Sequence, residues 1–144
     1  MRVVGLLKAK GYDVHAIDGR TSLAEAAVIM RRHNIGSLVV LGADHTFAGL
    51  LTERDVVSTL ALRGSDTANT PAIEVTRMDV PTCMLSDTLE SVMTVMTNQR
   101  ARHLPVIEDG QLVGVLSIGD VVKRRLEELL EETKLIQNYA TWGR

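Results

Sequence analysis

Apolar residues recur along this chain first with helical spacing and then in compact runs, and the whole order is traversed twice. Leu23, Ala26, Ala27 and Met30 stand at i, i+3, i+4 and i+7, one face of a helix. Ser22-Leu23-Ala24-Glu25 predicts its start as a capping box, with Glu25 returning a bond to the cap. Asn34 and Gly36 predict its end. Apolar runs at 37–41 and 47–51, parted by a turn at 42–46, predict two strands. Thr52 or Glu53 then opens a helix to about residue 62. In the second half, Asp87-Thr88-Leu89-Glu90 caps a helix to about residue 99. Strands at 103–107 and 111–116 follow, joined by Glu108-Asp109-Gly110, whose Asp-Gly pair signals a hairpin. A helix begins near residue 118. Brief strands are predicted ahead of the halves, at 14–17 and 81–84, and a short helix over 2–10 ended by Gly11. Each half therefore reads β-α-β-β-α.

The halves also share residues. Gly49-Leu50-Leu51-Thr52-Glu53-Arg54-Asp55 returns as Gly114-Val115-Leu116-Ser117-Ile118-Gly119-Asp120, shifted by 65 (114 − 49). Leu23, Ala26, Ala27 and Met30 return as Leu89, Val92, Met93 and Met96, shifted by 66 (89 − 23). Two copies at so long a period mean a duplicated globular unit, not a solenoid. The boundaries predicted are a first repeat over 12–62, a linker over 63–71, a second repeat over 72–125 and a helical extension over 126–144. A repeat this small buries too little surface to be stable alone, which predicts one shared core. In the last helix Val122, Leu126, Leu129, Thr133, Ile136 and Ala140 follow the 4, 3, 4, 3, 4 spacing of a heptad seam. That seam fits either a helix packed on its own domain or a dimer contact.

Composition narrows the function. A net charge of −2 and an aromatic content of 3% leave neither the basic footprint nor the stacking platforms of a nucleic-acid binder. The apolar run Val3-Val4-Gly5-Leu6-Leu7, cut by Lys8 and Lys10, is too short for a signal peptide or a membrane span. A cytoplasmic protein without membrane partners is expected. The one cysteine, Cys83, cannot form an internal disulfide and reads as a small buried residue. Histidines 15, 33, 45 and 103 lack metal-ligand spacing, and no nucleophile elbow, phosphate loop or dinucleotide fingerprint occurs. No catalytic residue, metal site or enzyme cofactor is assigned.

The repeated motif does carry chemistry. A strand ending at Leu51 and a helix starting at Thr52 would point free N–H groups and a positive dipole end outward, suited to a phosphate. Thr52 can cap the helix, and Asp55, one turn in, can accept bonds from two vicinal hydroxyls of a ribose. Arg54 adds a cation. Ser117 and Asp120 keep this arrangement, while Ile118-Gly119 replaces Glu53-Arg54. The plainer reading is that Ser/Thr-x-x-Asp is an ordinary helix start; its occurrence in both halves favours a site. Arg102 and His103 open an otherwise apolar strand whose counterpart begins with Gly36 and Ser37. They read either as site residues or as charge guarding an exposed edge together with Pro105.

These features resemble a tandem pair of CBS (cystathionine-β-synthase) domains, a Bateman module. The resemblance rests on the doubled Gly-h-h-Ser/Thr-x-x-Asp motif, the Ser-Leu-x-Glu-Ala helix at 22–26, Ile35-Gly36-Ser37-Leu38-Val39-Val40, and Arg102-His103-Leu104-Pro105-Val106. It covers about residues 12–125, and the remainder is similar to small stand-alone prokaryotic members. It implies an α+β fold of two β-α-β-β-α repeats packed about a pseudo-twofold axis, with ligands in a cleft between them. It further implies that Thr52 and Asp55 hold the ribose and phosphate of one nucleotide whose adenine lies near Pro81, Cys83 and Ala101. Ser117 and Asp120 would hold a second, with its adenine near His15, Ile17, Ile35 and Gly36. Arg102, His103 and Arg54 would reach phosphates. The ligand implied contains adenosine: AMP, ADP, ATP, NAD or S-adenosylmethionine. The function expected is a non-catalytic, homodimeric sensor that regulates an unknown partner protein; the alternative is a ligand-free interaction scaffold acting through its terminal helix.

Overall fold

The structure is a computed structural model that describes residues 1–142. In chain order the elements are α1 (Val3–Lys10), β1 (Ala16–Asp18), α2 (Leu23–His33), β2 (Ser37–Leu41), β3 (Phe47–Thr52), α3 (Glu53–Arg63), α4 (Leu89–Asn98), β4 (His103–Glu108), β5 (Gln111–Ser117) and α5 (Ile118–Trp142). Both halves thus follow the β-α-β-β-α plan, with one reduction. In the first half β1 pairs parallel to β2 and β2 antiparallel to β3. In the second, β4 and β5 form a two-stranded sheet, and the strand expected at 81–84 is a single parallel bridge from Cys83 to Val106.

The chain divides into two compact units that do not coincide with the sequence repeats: Met1–Tyr12 with Pro81–Asp109 and Val113–Arg144, and Asp13–Val80 with Gly110–Leu112. Each unit has its own buried cluster. One centres on Leu23, Ala26, Met30, Leu38, Val40 and Leu51. The other centres on Leu89, Val92, Met96, Leu104, Val106 and Leu116, joined by Val3, Leu6 and Leu7 of α1. Ala27, expected on the buried stripe, faces solvent.

What completes each unit is a segment from outside its repeat. Leu89 N–H donates to Met1 O and Val3 N–H to Asp87 O, so α1 closes the second repeat. Leu23 N–H donates to Thr70 O and Ala72 N–H to Thr21 O, so residues 70–72 close the first in the same way. The equivalence is a shift of 69 (70 − 1, 72 − 3) with no likeness of sequence. The stretch 63–71, read as a linker, is therefore folded onto the first repeat. It contains a 3-10 helix at Gly64–Asn69, and Thr67 and Thr70 are buried.

Local signals account for most ends. Ser22 and Thr88 cap α2 and α4 by accepting from Glu25 N–H and Ser91 N–H. The reciprocal bond from Ser22 N–H to the Glu25 side chain is not among the bonds made, so this cap is one-sided. Asn34 (φ 52°) and Arg100 (φ 52°) both adopt left-handed backbone, and Ile35 and Ala101 N–H donate to Met30 and Met96 O. That is the six-to-one closure of a Schellman motif in both halves. Asp109 and Gly110 at φ 50° and 75° make the primed turn that their dipeptide predicts.

Of α5 only Val121 is buried. Val122, Leu126, Leu129 and Ile136, four positions of the heptad seam, are 42%, 56%, 42% and 69% exposed. The seam is not packed on its own unit. No helix of the described residues is long and apolar enough to cross a membrane.

Candidate functional site

In both repeats the hydroxyl and carboxylate of Ser/Thr-x-x-Asp meet at the junction of a strand and a helix. At the end of β3, Thr52 Oγ1 accepts Asp55 N–H at 3.3 Å, and Asp55 Oδ2 accepts Thr52 N–H at 2.8 Å and Thr52 Oγ1–H at 3.0 Å. At the end of β5, Ser117 Oγ accepts Asp120 N–H at 3.1 Å and Asp120 Oδ2 accepts Ser117 N–H at 2.9 Å. The helix-start reading is thus realised twice, as a reciprocal cap. It leaves the carboxylates held in place with acceptor capacity to spare, since each offers about four lone pairs.

The start of the preceding strand is tied to the same junction. Glu53 N–H donates to Gly36 O at 3.1 Å, and Ile118 N–H to Arg102 O at 2.8 Å. Ile35 and Gly36 therefore lie beside Thr52–Asp55, and Ala101 and Arg102 beside Ser117–Asp120, each within its own unit. Arg54, Arg102 and His15 are exposed, and His103 is half-buried. The His15 ring lies against His33 at a centroid distance of 4.2 Å, and His15 O accepts Val39 N–H. Ile17 and Cys83 are buried, and Pro81 is half-buried. Cys83 N–H donates to Pro105 O and its carbonyl accepts Ile107 N–H. Pro105 is buried between that bridge and β5 and so does not guard an open edge. Burial, and then the charge of Asp87, push the Cys83 thiol up to about 12.

Two residues with no motif to announce them complete the arrangement. Arg77 Nε donates to Asp55 Oδ1 at 2.9 Å, and Lys10 Nζ to Asp120 Oδ2 at 2.6 Å and to Val115 O at 2.8 Å. Asp55 is 8% exposed, whereas the Arg77 side chain is 56% exposed. Burial raises the Asp120 carboxyl, but the Lys10 ammonium and the Ser117 bonds outweigh it and hold the group below its ordinary range. The two cations come from unlike segments, the end of α1 and the extended chain after residue 75. Each segment packs on the glycine of the motif. Gly49 lies against Arg77, with Leu50 and Arg77 exchanging N–H···O bonds at 3.3 and 3.2 Å, and Gly114 lies against Leu7. No sequence signal pairs Lys10 with Asp120, 110 residues away. Among the described residues no group of three or more His, Cys, Asp or Glu is placed to hold a metal ion.

The CBS domain matches residues 9–62 and 72–127. The chain belongs to the CBS-domain family. A mitochondrial CBS domain-containing protein of Arabidopsis thaliana, CBSX3, is 34% identical over 125 residues; the match covers 83% of this chain and 60% of that relative. The crystal structure of the CBS-domain containing protein ATU1752 from Agrobacterium tumefaciens superposes with a TM-score of 0.83 at 40% identity, covering 86% of this chain and 92% of that one. The CBS domain pair of protein MJ0100, solved with 5′-methylthioadenosine and S-adenosyl-L-methionine, has the same fold, with a TM-score of 0.76 at 21% identity over 89% of this chain and 98% of that one.

Proposed function

We propose that this chain is a non-catalytic regulatory module that binds an adenosine-containing nucleotide, AMP, ADP, ATP or an NAD-type ligand, and passes its occupancy to a partner protein. The observation that carries the reading is the duplicated junction: a capped helix start, a fixed carboxylate and a cation, built twice from the same hydroxyl–carboxylate spacing. The carboxylate suits the two vicinal hydroxyls of a ribose, and the cation and helix start suit a phosphate. The adenosyl ligands of the MJ0100 domain pair support the ligand class. Arg102 and His103 supply further polar groups on the second-repeat side, where the first has Gly36 and Ser37, so two sites of unequal affinity are expected.

Calorimetry with AMP, ATP and NAD tests this. Asp120→Ala and Asp55→Ala should each remove a charge-assisted bond of about 1.5–3 kcal/mol, roughly ten- to a hundredfold in affinity at one site. Wild-type affinity in both variants refutes the assignment.

A second reading is favoured by the exposed seam of α5: self-association of the module through that helix. Sedimentation of the full chain against one ending at residue 129 measures it. An assembly that survives the truncation removes α5 from the interface.

A further inference from the structure

Lys10 and Arg77 occupy the very carboxylates that the nucleotide reading assigns to a ribose. Both oxygens of Asp55 are engaged, Oδ2 by Thr52 and Oδ1 by Arg77. On Asp120 the Oδ2 atom accepts from Ser117 and Lys10 together. A diol that donates to either group must share it with a cation or replace that cation. The hydroxyl's bond to the carboxylate is charge-assisted too, but exchanging the cation for a neutral donor gives up the Coulomb attraction of the ion pair, which is a loss. A ligand recovers that loss only if it gives the displaced cation another anion.

We propose that Lys10 and Arg77 are exchange cations: the ribose of an incoming nucleotide takes over Asp120 or Asp55, and the released ammonium or guanidinium passes to the nucleotide's phosphate. This inference rests on the nucleotide reading above and adds the specificity rule, that the sites select phosphorylated nucleosides over bare nucleosides. Three features support it. The same carboxylate meets a cation in both halves, although the segments that deliver the cations share no sequence or conformation. Each segment is anchored independently of its ion pair. Residues around Arg77 are held by the Leu50 backbone bonds and α1 by Val3 N–H to Asp87 O, so a side chain can turn away without undocking its backbone. Finally, both cations sit at the edge of the site with room to move: the Lys10 side chain is 30% exposed and that of Arg77 56%, while Asp55 beneath is buried.

The test compares adenosine with AMP by calorimetry on the full chain, as wild type, Lys10→Gln and Arg77→Gln, with thermal melts to confirm folding. Wild type should prefer AMP by at least about tenfold. Each variant should narrow that preference by about tenfold at its own site, with AMP weakened and adenosine unchanged or tightened. A loss of affinity that is equal for the two ligands, or no loss for either, overturns the exchange and leaves the nucleotide reading standing. Failure of wild type to bind adenosine, AMP, ATP or NAD overturns both.

Discussion

Gly49 and Arg77 are in such close backbone contact that a Cβ on Gly49 would stand 2.1 Å from the Arg77 carbonyl oxygen. The glycine of the repeated motif is therefore a docking point for the segment that brings the cation to Asp55. At Gly114 the same Cβ would meet only the Leu7 side chain, at 3.0 Å, and a leucine can shift. Gly49 also sits at φ 149°, a backbone region disfavoured for other residues. Gly49→Ala should destabilise by about 3 kcal/mol or more, and Gly114→Ala by about 1 kcal/mol. Denaturant unfolding of the two variants decides it; equal losses would mean that the backbone contact is not what the glycine serves.

Arg100 is the second position where the backbone outvotes the residue. It takes the left-handed conformation of Asn34, its counterpart, but an arginine pays a steric penalty there that glycine does not. Arg100→Gly is expected to stabilise the chain by about 0.5–1 kcal/mol, read as a higher urea midpoint at constant m. Asn34→Gly should change little, since asparagine tolerates that conformation. If Arg100→Gly instead lowers the midpoint, its guanidinium makes a contact that outweighs the backbone strain.

What could be read from the residues and what could not divide along sequence distance. The helix stripes, the caps at Ser22, Thr52 and Thr88, and the Asp109-Gly110 turn are local, each decided by neighbours within four positions. The Ser/Thr-x-x-Asp junctions were legible for the same reason. Nothing local announces that Met1–Lys10 completes the second repeat or that Thr70–Arg77 completes the first. Those pairings join segments with no shared residues, and the repeat that betrays the rest of the fold is silent there. The stretch 63–71 reads as a linker because buried threonines such as Thr67, whose hydroxyl donates to Thr59 O at 3.2 Å, look in sequence like any polar turn. The cations went unseen for that reason too.

Cys83 tests the packing of the second-repeat cluster. With its thiol pushed up to about 12 from an ordinary 9.0, the thiolate is about a thousandfold scarcer at neutral pH than at an unperturbed site. Alkylation by iodoacetamide at pH 8 should be at least about a hundredfold slower in the native protein than in urea. Equal rates in the two conditions would show that the Cys83–Val106 bridge opens readily and that the site is not the closed one described here.

The Lys10–Asp120 pair gives the protein a pH signature whose direction is set by the carboxyl. Because the native fold holds Asp120 below its ordinary value of 3.8, the unfolded chain takes up a proton first as the solution is acidified. The stabilisation is fully present above that ordinary value and is lost as pH falls through the lower native one. Asp120→Asn lacks the ionisable group altogether. At pH 6 the variant should be less stable than wild type by about 1–2 kcal/mol, as befits a charge-assisted contact that is partly open to solvent. The gap should hold to about pH 4 and then close towards about pH 2. Lys10→Gln should behave in the same way, since it removes the cation that keeps the carboxyl ionised. Urea titrations at pH 6, 4 and about 2.5 measure the gap. One that stays constant across that range would mean that the loss does not follow the ionisation of Asp120, and that the ammonium beside it does not set the pH dependence of the fold.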